Sequence, residues 1–195
     1  MRNRREFAHV VLDDAFQMLA DNVRGLRIDE ALFVPSGGYR STLGTLKHIA
    51  GWSHVYRSYA FERQPKHWAQ IDWPRGLRET VESSQSYLDE VIGWAEAAHH
   101  NWLRCLDELS EDEALDDLRP LHWGELKPLF DIVATIARHH VYHAGEINQL
   151  LSIVRGEAWE EYEEVEENHI STVGHRVRPP WLFQKPNHHG ATLAG

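Results

Sequence analysis

Residues 131–151 read DIVATIARHHVYHAGEINQLL, and the spacing of their apolar side chains decides the fold. Projected at 100° per residue, Leu129, Ile132, Ile136, Ile147, Leu150 and Val154 lie within about 40° of His143. Asp131, Arg138 and Gln149 project from the opposite side. One apolar stripe beside one polar side is the mark of an amphipathic helix. It is expected from about Glu125 to Arg155, with Pro128 tolerable in its first turn and Gly156 placed to end it.

Working outward, three more segments carry the same period. The first runs from Arg5 to about Leu26, with Phe7, Val10, Val11, Ala15, Met18, Leu19 and Val23 as its stripe. Residues 31–40 contain Pro35 and the Gly37-Gly38 pair and read as a loop. Ser41 or Thr42 can then cap a second helix reaching about Glu62. Residues 64–75, with Pro65, Trp68, Trp73 and Pro74, form a connection longer than a tight antiparallel turn needs, long enough to carry the chain from one end of a bundle to the other. A third helix spans about Leu77 to Leu109 on Tyr87, Leu88, Val91, Ile92, Ala95, Ala98, Trp102, Leu106 and Leu109. With no convincing alternating strand between them, four such helices predict an all-α four-helix bundle.

The chain beyond Gly156 is a C-terminal extension of different character. Glutamates cluster at Glu157, Glu160, Glu161, Glu163, Glu164, Glu166 and Glu167, and Val177-Arg178-Pro179-Pro180-Trp181 must be extended. Residues 1–184 are therefore read as one domain, the bundle plus a surface wrap, and residues 185–195 as a flexible tail.

At 195 residues with 42% apolar and 26% charged side chains, the composition is that of an ordinary folded domain. Its formal charge of −10 repels phosphate backbones and anionic lipid, so neither nucleic acid nor membrane is an expected partner. The leading Met-Arg-Asn-Arg-Arg-Glu lacks the apolar segment of a signal peptide, and a cytoplasmic location is expected. Cys105, the one cysteine, excludes an internal disulfide and a thiolate cluster, and is read as a buried inert thiol.

Fourteen histidines are the unusual feature. His139 and His143 stand one turn apart on the apolar face of the last helix, a spacing that lets two imidazoles reach one ion. On the second helix His48 shares a face with Trp52, Val55 and Tyr59, whereas His54 falls with Lys47 and Ser58 on the outward side. Buried imidazoles without partners cost about 1–3 kcal/mol each, and a shared divalent cation removes that cost. Three neutral nitrogens leave a coordination position open, the arrangement of catalytic zinc. Spacing alone leaves His140 as an alternative to His139, because it also lies within about 60° of His143. His140 stands where the zinc-protease motif HExxH requires its glutamate base, which argues against protease activity.

Leu46-Lys47-His48-Ile49-Ala50 with Trp52, followed by His139-His140-Val141-Tyr142-His143-Ala144-Gly145-Glu146-Ile147, resembles the DinB/YfiT-like superfamily over most of residues 5–155. The resemblance implies an up-down-down-up bundle and one metal ion, zinc or nickel, on His48, His139 and His143 in preference to His140. It also implies a homodimer, an expectation to which the apolar breadth of the second helix adds. The function implied is a metal-dependent enzyme on small molecules, of thiol-dependent S-transferase or hydrolase type; the alternative is a non-catalytic metal-binding or stress-response bundle. Where the family often has Arg-Gly-Gln after the last histidine, this chain has Ala144-Gly145-Glu146, so Glu146 is a candidate acceptor behind a ligand or a fourth ligand.

Tyr39 and Arg40 precede the second helix and are candidates to offer a phenol and a cation to an anionic substrate beside His48. Trp68, Trp73 and Trp123 are read as closing the bundle ends or lining a substrate mouth. The pairs His99-His100 and His188-His189 are read as solvated.

Overall fold

Asn3, Ser41 and Ser84 start three long helices by the same chemistry: a short polar side chain accepts from a backbone N–H three residues ahead, at 2.8, 3.2 and 3.2 Å. In the computed structural model these helices are α1 (Arg4–Val23), α3 (Thr42–Phe61) and α4 (Gln85–Asp107), with a single turn, α2 (Ile28–Ala31), between the first two. The structure describes residues 3–38, 40–66, 68–70 and 84–156. Replacing Ser84 by alanine is expected to cost about 1 kcal/mol, measurable as a lower urea midpoint at unchanged slope.

The fourth long helix, α5 (Leu129–Arg155), begins later than its periodicity suggested. Pro128 stands outside it with ψ 143°, because the chain from Leu118 to Pro128 is spent on a small antiparallel hairpin. Its strands, β1 (Leu118–Pro120) and β2 (Leu126–Pro128), have three residues each, too few to show an alternating pattern in sequence. Gly156 ends α5 at φ +64°, a left-handed cap that favours glycine.

The core has two apolar clusters stacked along the bundle. One joins Phe16, Leu19 and Val23 of α1 to Leu46 and Ile49 of α3, Leu88 and Val91 of α4, and Ile147 and Leu151 of α5. The other joins Ala8 and Leu12 of α1 to Val55 and Tyr59 of α3, Trp102 and Leu106 of α4, and Ile132 and Ile136 of α5. The first cluster thus takes the C-terminal halves of α1 and α5 and the N-terminal halves of α3 and α4, which is an up-down-down-up bundle. Parallel α3 and α4 require the chain to return along the bundle, and the interval from Phe61 to Gln85 has enough sequence for it. Among the described residues no helix is long and apolar enough to cross a membrane.

Three expectations are corrected. Helix one presents Ala8, Leu12, Ala15, Phe16, Leu19 and Val23 to the core, while Phe7, Val11 and Met18 are exposed, because the apolar residues of this helix outnumber one face. Cys105 is only partly buried. His99 is buried, not solvated, whereas His100 is exposed. Trp73, the start of helix three before residue 84, the C-terminal wrap, the tail and His188-His189 lie outside the described residues.

Candidate metal centre

His48 stands on α3 and His139 and His143 one turn apart on α5, where the two helices pack side by side. His48 and His139 bring their Nε2 atoms to 3.1 Å. Ring centroids are 5.1 Å apart for His48 and His139, 4.9 Å for His48 and His143, and 4.5 Å for His139 and His143. One ring nitrogen from each lies within 4.8 Å of the other two, a grouping that could hold a metal ion. Two nitrogens bound to one tetrahedral zinc stand about 3.4 Å apart, so the triad needs only small side-chain adjustments to close on an ion.

The electrostatics keep His48 and His139 unprotonated. Burial is the main cause, and it lowers His48 to about 4, with help from the Arg40 and His143 charges. His139 is held at about 3 by burial, then by His143, His48 and Arg40. A neutral imidazole is the form that binds a metal. On His143 the tautomer follows from a neighbour: Nδ1 lies 2.6 Å from Glu146 Oε2, an acceptor, so Nδ1 carries the proton and Nε2 offers its lone pair. Glu146 therefore acts behind His143 and is not one of the converging groups. Replacing Glu146 by alanine is expected to weaken metal binding about tenfold without unfolding the protein, readable by chelator competition.

Arg40 is half-buried, and its charge reaches His48 and His139. Its path runs over Gly44, where an added Cβ would stand 2.7 Å from Arg40 Cγ. A glycine one turn before His48 thus lets the arginine lie along the first turn of α3. Tyr39 lies outside the described residues. Trp52 stands next to His48, with ring centroids 6.2 Å apart, and Trp68 packs on Trp52 at 5.2 Å. Trp123 is half-exposed beside Tyr59 and His122 and does not bury itself in a bundle end. His54, read as outward, is partly buried against Trp94 at 6.1 Å.

The family model of the DinB superfamily matches residues 12–147, a span that includes all three histidines, the whole of α3 and α4, and most of α1 and α5. The chain belongs to the DinB superfamily. A solved structure described as a conserved protein from Enterococcus faecalis has the same fold as this DinB chain, with a TM-score of 0.55 at 16% identity, covering 80% of this chain and 100% of that one. No curated protein matches the chain.

His140 is the residue on which spacing was ambiguous. It is fully buried, deeper than His139, yet it points away from the triad: its Nε2 meets Ser53 Oγ at 3.0 Å and its ring lies against Phe16. Sequence reasoning missed His99. The signal was present, since Ala95, His99, Trp102 and Leu106 share one helical face.

Proposed function

We propose that this DinB protein is a metal-dependent enzyme acting on a small molecule, with one divalent ion, zinc or nickel, on His48, His139 and His143. The observation that carries the reading is the convergence of three imidazoles with no carboxylate or thiolate among them. Such a donor set leaves a position for an exchangeable ligand. A bound ion supplies the Lewis acidity that makes a thiol or a water molecule a nucleophile at neutral pH. The chain's own residues do the rest. His48 and His139 stay unprotonated, Glu146 orients His143, and Arg40 places a fixed positive charge beside the triad that favours an anionic substrate. Trp52 offers an apolar wall.

Cys105 has no part in this mechanism: it is on α4 and is not among the converging groups, and the nucleophile comes from the cosubstrate. Thiol-dependent S-transfer and hydrolysis differ only in whether a low-molecular-weight thiol or water attacks. Elemental analysis of protein purified without a histidine tag, followed by a panel of thiols and electrophilic acceptors on the metallated protein, tests the proposal. Turnover that needs metal and survives Cys105→Ser supports it; a full metal complement with no thiol bound and no acceptor consumed moves the reading to a metal-binding stress protein.

A cytoplasmic location and a homodimer belong to the same reading. The second helix, whose breadth suggested the dimer, is covered within the chain: none of its residues from Thr42 to Phe61 is exposed. The apolar surface lies instead on α1, where Phe7, Val11 and Met18 form an exposed stripe. Asn22, on that side of α1, donates to the Ala144 carbonyl, so the stripe borders α5 and its exposed Val141. Light scattering is expected to report twice the 22.6 kDa chain mass; a Val11→Glu variant that remains dimeric would place the interface elsewhere.

A further inference from the structure

Where the two apolar clusters meet, each long helix contributes a polar side chain besides the three histidines of the candidate metal centre. Asp13 lies between Leu12 and Phe16 on α1, Ser53 between Ala50 and Val55 on α3, His99 between Ala95 and Trp102 on α4, and His140 between Ala137 and Ala144 on α5. Ser53, His99 and His140 are buried; Asp13 is half-exposed at a cleft of about 390 Å³ between α1 and α4. A polar layer through a dry core is costly unless every group is paired, so its hydrogen bonds can be assigned one by one.

His99 Nε2 lies 2.9 Å from Asp13 Oδ1. A carboxylate only accepts, so His99 carries its proton on Nε2 and its Nδ1 is an acceptor. That Nδ1 is buried without a partner among the described residues, and so is Nδ1 of His140. The two rings are neighbours, with centroids 6.3 Å apart and planes inclined at 72°. A direct N–H···N bond of about 3 Å would bring the centroids to about 5 Å, whereas one intervening water extends the reach to about 7 Å. For His140, a proton on Nδ1 lets that atom donate to the water and lets Nε2 accept from the Ser53 hydroxyl at 3.0 Å. In the opposite tautomer the water would donate to both Nδ1 atoms, and Ser53, accepting from Nε2–H, would have to send its own hydroxyl proton elsewhere.

We infer that one buried water accepts from His140 Nδ1–H and donates to His99 Nδ1, completing a polar chain from Asp13 through His99 and His140 to Ser53 that ties all four helices and sets the rotation of α5. The consequence reaches the candidate metal centre. His140 lies between His139 and His143 in sequence, and holding its ring on Phe16 of α1, His99 of α4 and Ser53 of α3 leaves its two neighbours facing His48. Phe16 supports the arrangement from one side, stacked on His99 at 4.1 Å and edge-on to His140 at 5.5 Å. His99 is thus a positioning residue for a site it does not touch. This last step rests on the proposed metal site, whereas the water and the tautomers do not.

Long-range proton–nitrogen correlation spectra of the full chain test the assignment directly. His99 is expected as the Nε2–H tautomer and His140 as the Nδ1–H tautomer, and a high-resolution crystal structure is expected to place a water about 3 Å from both Nδ1 atoms. His140 protonated on Nε2, or no water between the rings, overturns the inference. For the positioning role, His99→Phe keeps the ring on Phe16 but removes both nitrogens. Zinc affinity by chelator competition is expected to fall about tenfold, the visible spectrum of the cobalt-substituted protein to change, and His99→Gln, which can donate and accept, to recover part of both. Should His99→Phe fail to fold, Asp13→Ala at its half-exposed position removes only the outer acceptor, and a loss of about threefold is expected. Unchanged affinity and spectrum in a folded variant overturn the positioning role. A native protein that binds no metal removes the metal proposal instead, and leaves the tautomers and the water to be judged on their own.

Discussion

Replacing His48 by alanine is expected to reduce bound metal from about one ion per chain to almost none. Two ligands one turn apart on α5 remain, but the third direction, supplied from α3, is lost. Removing a group that merely orients a ligand costs about 10–100-fold in affinity, and removing a ligand itself exceeds that range. The fold should survive. His48 is only partly buried, and the apolar clusters on either side of it are complete without it. Elemental analysis and far-ultraviolet circular dichroism on the same sample check both halves. His140→Ala provides the contrast, because His140 does not face the triad: metal should still bind, more weakly, in a less stable protein. Equal metal content in wild type and His48→Ala would refute the assignment of the centre.

Acid is expected to unfold the metal-free protein before its carboxylates titrate. His140 is fully buried, and burial lowers it to about 3. His139 and His48 fall to about 3 and about 4 for the same main reason. An unfolded histidine titrates near 6.5. Below that value the unfolded chain binds more protons than the folded one, so stability rises with pH there and falls as the solution is acidified. The contribution is fully present above about pH 6.5 and is lost between there and the folded values. His140 alone gives a slope approaching about 1.4 kcal/mol per pH unit once the unfolded residue is fully protonated. His48 and His139 add slopes of the same sign, each over the pH range between its own folded value and that of the unfolded residue. Depressed carboxylates such as Glu30, held down first by Arg155, act only at lower pH. Circular dichroism against pH should show loss of helix beginning above pH 4.5, and added zinc should move it to lower pH by competing with protons for two of the rings. Helix content unchanged down to pH 3 would show that these histidines are hydrated in solution.

The four helices, their order and the long second connection were legible in the sequence, because amphipathic period and helix-breaking residues are local properties. One helix start was legible in the same way, since Ser41 could be read as a cap from its neighbours alone, whereas the last helix begins only at Leu129 because the hairpin takes up the chain before it. The DinB pattern named the three histidines, and the helical wheel put His48 and His143 on apolar faces. Rotation about a helix axis was not legible wherever apolar residues exceeded one face. On α1 the chain offered Phe7, Val11 and Met18 as readily as Leu12 and Phe16, and only packing against α4 and α5 chose the second set. The hairpin escaped because strands of three residues have no period, and its pairing joins residues 118–120 to 126–128. His139 and His140 show the same limit at the site. Adjacent residues on a helix point about 100° apart, and both directions are inward here because α5 has neighbours on two sides. Periodicity identifies a buried face, but it cannot say which neighbouring helix each part of that face will meet. Tertiary packing turned His139 toward His48 on α3 and His140 toward His99 and Ser53, since only the folded bundle brings their hydrogen-bonding partners from the other helices.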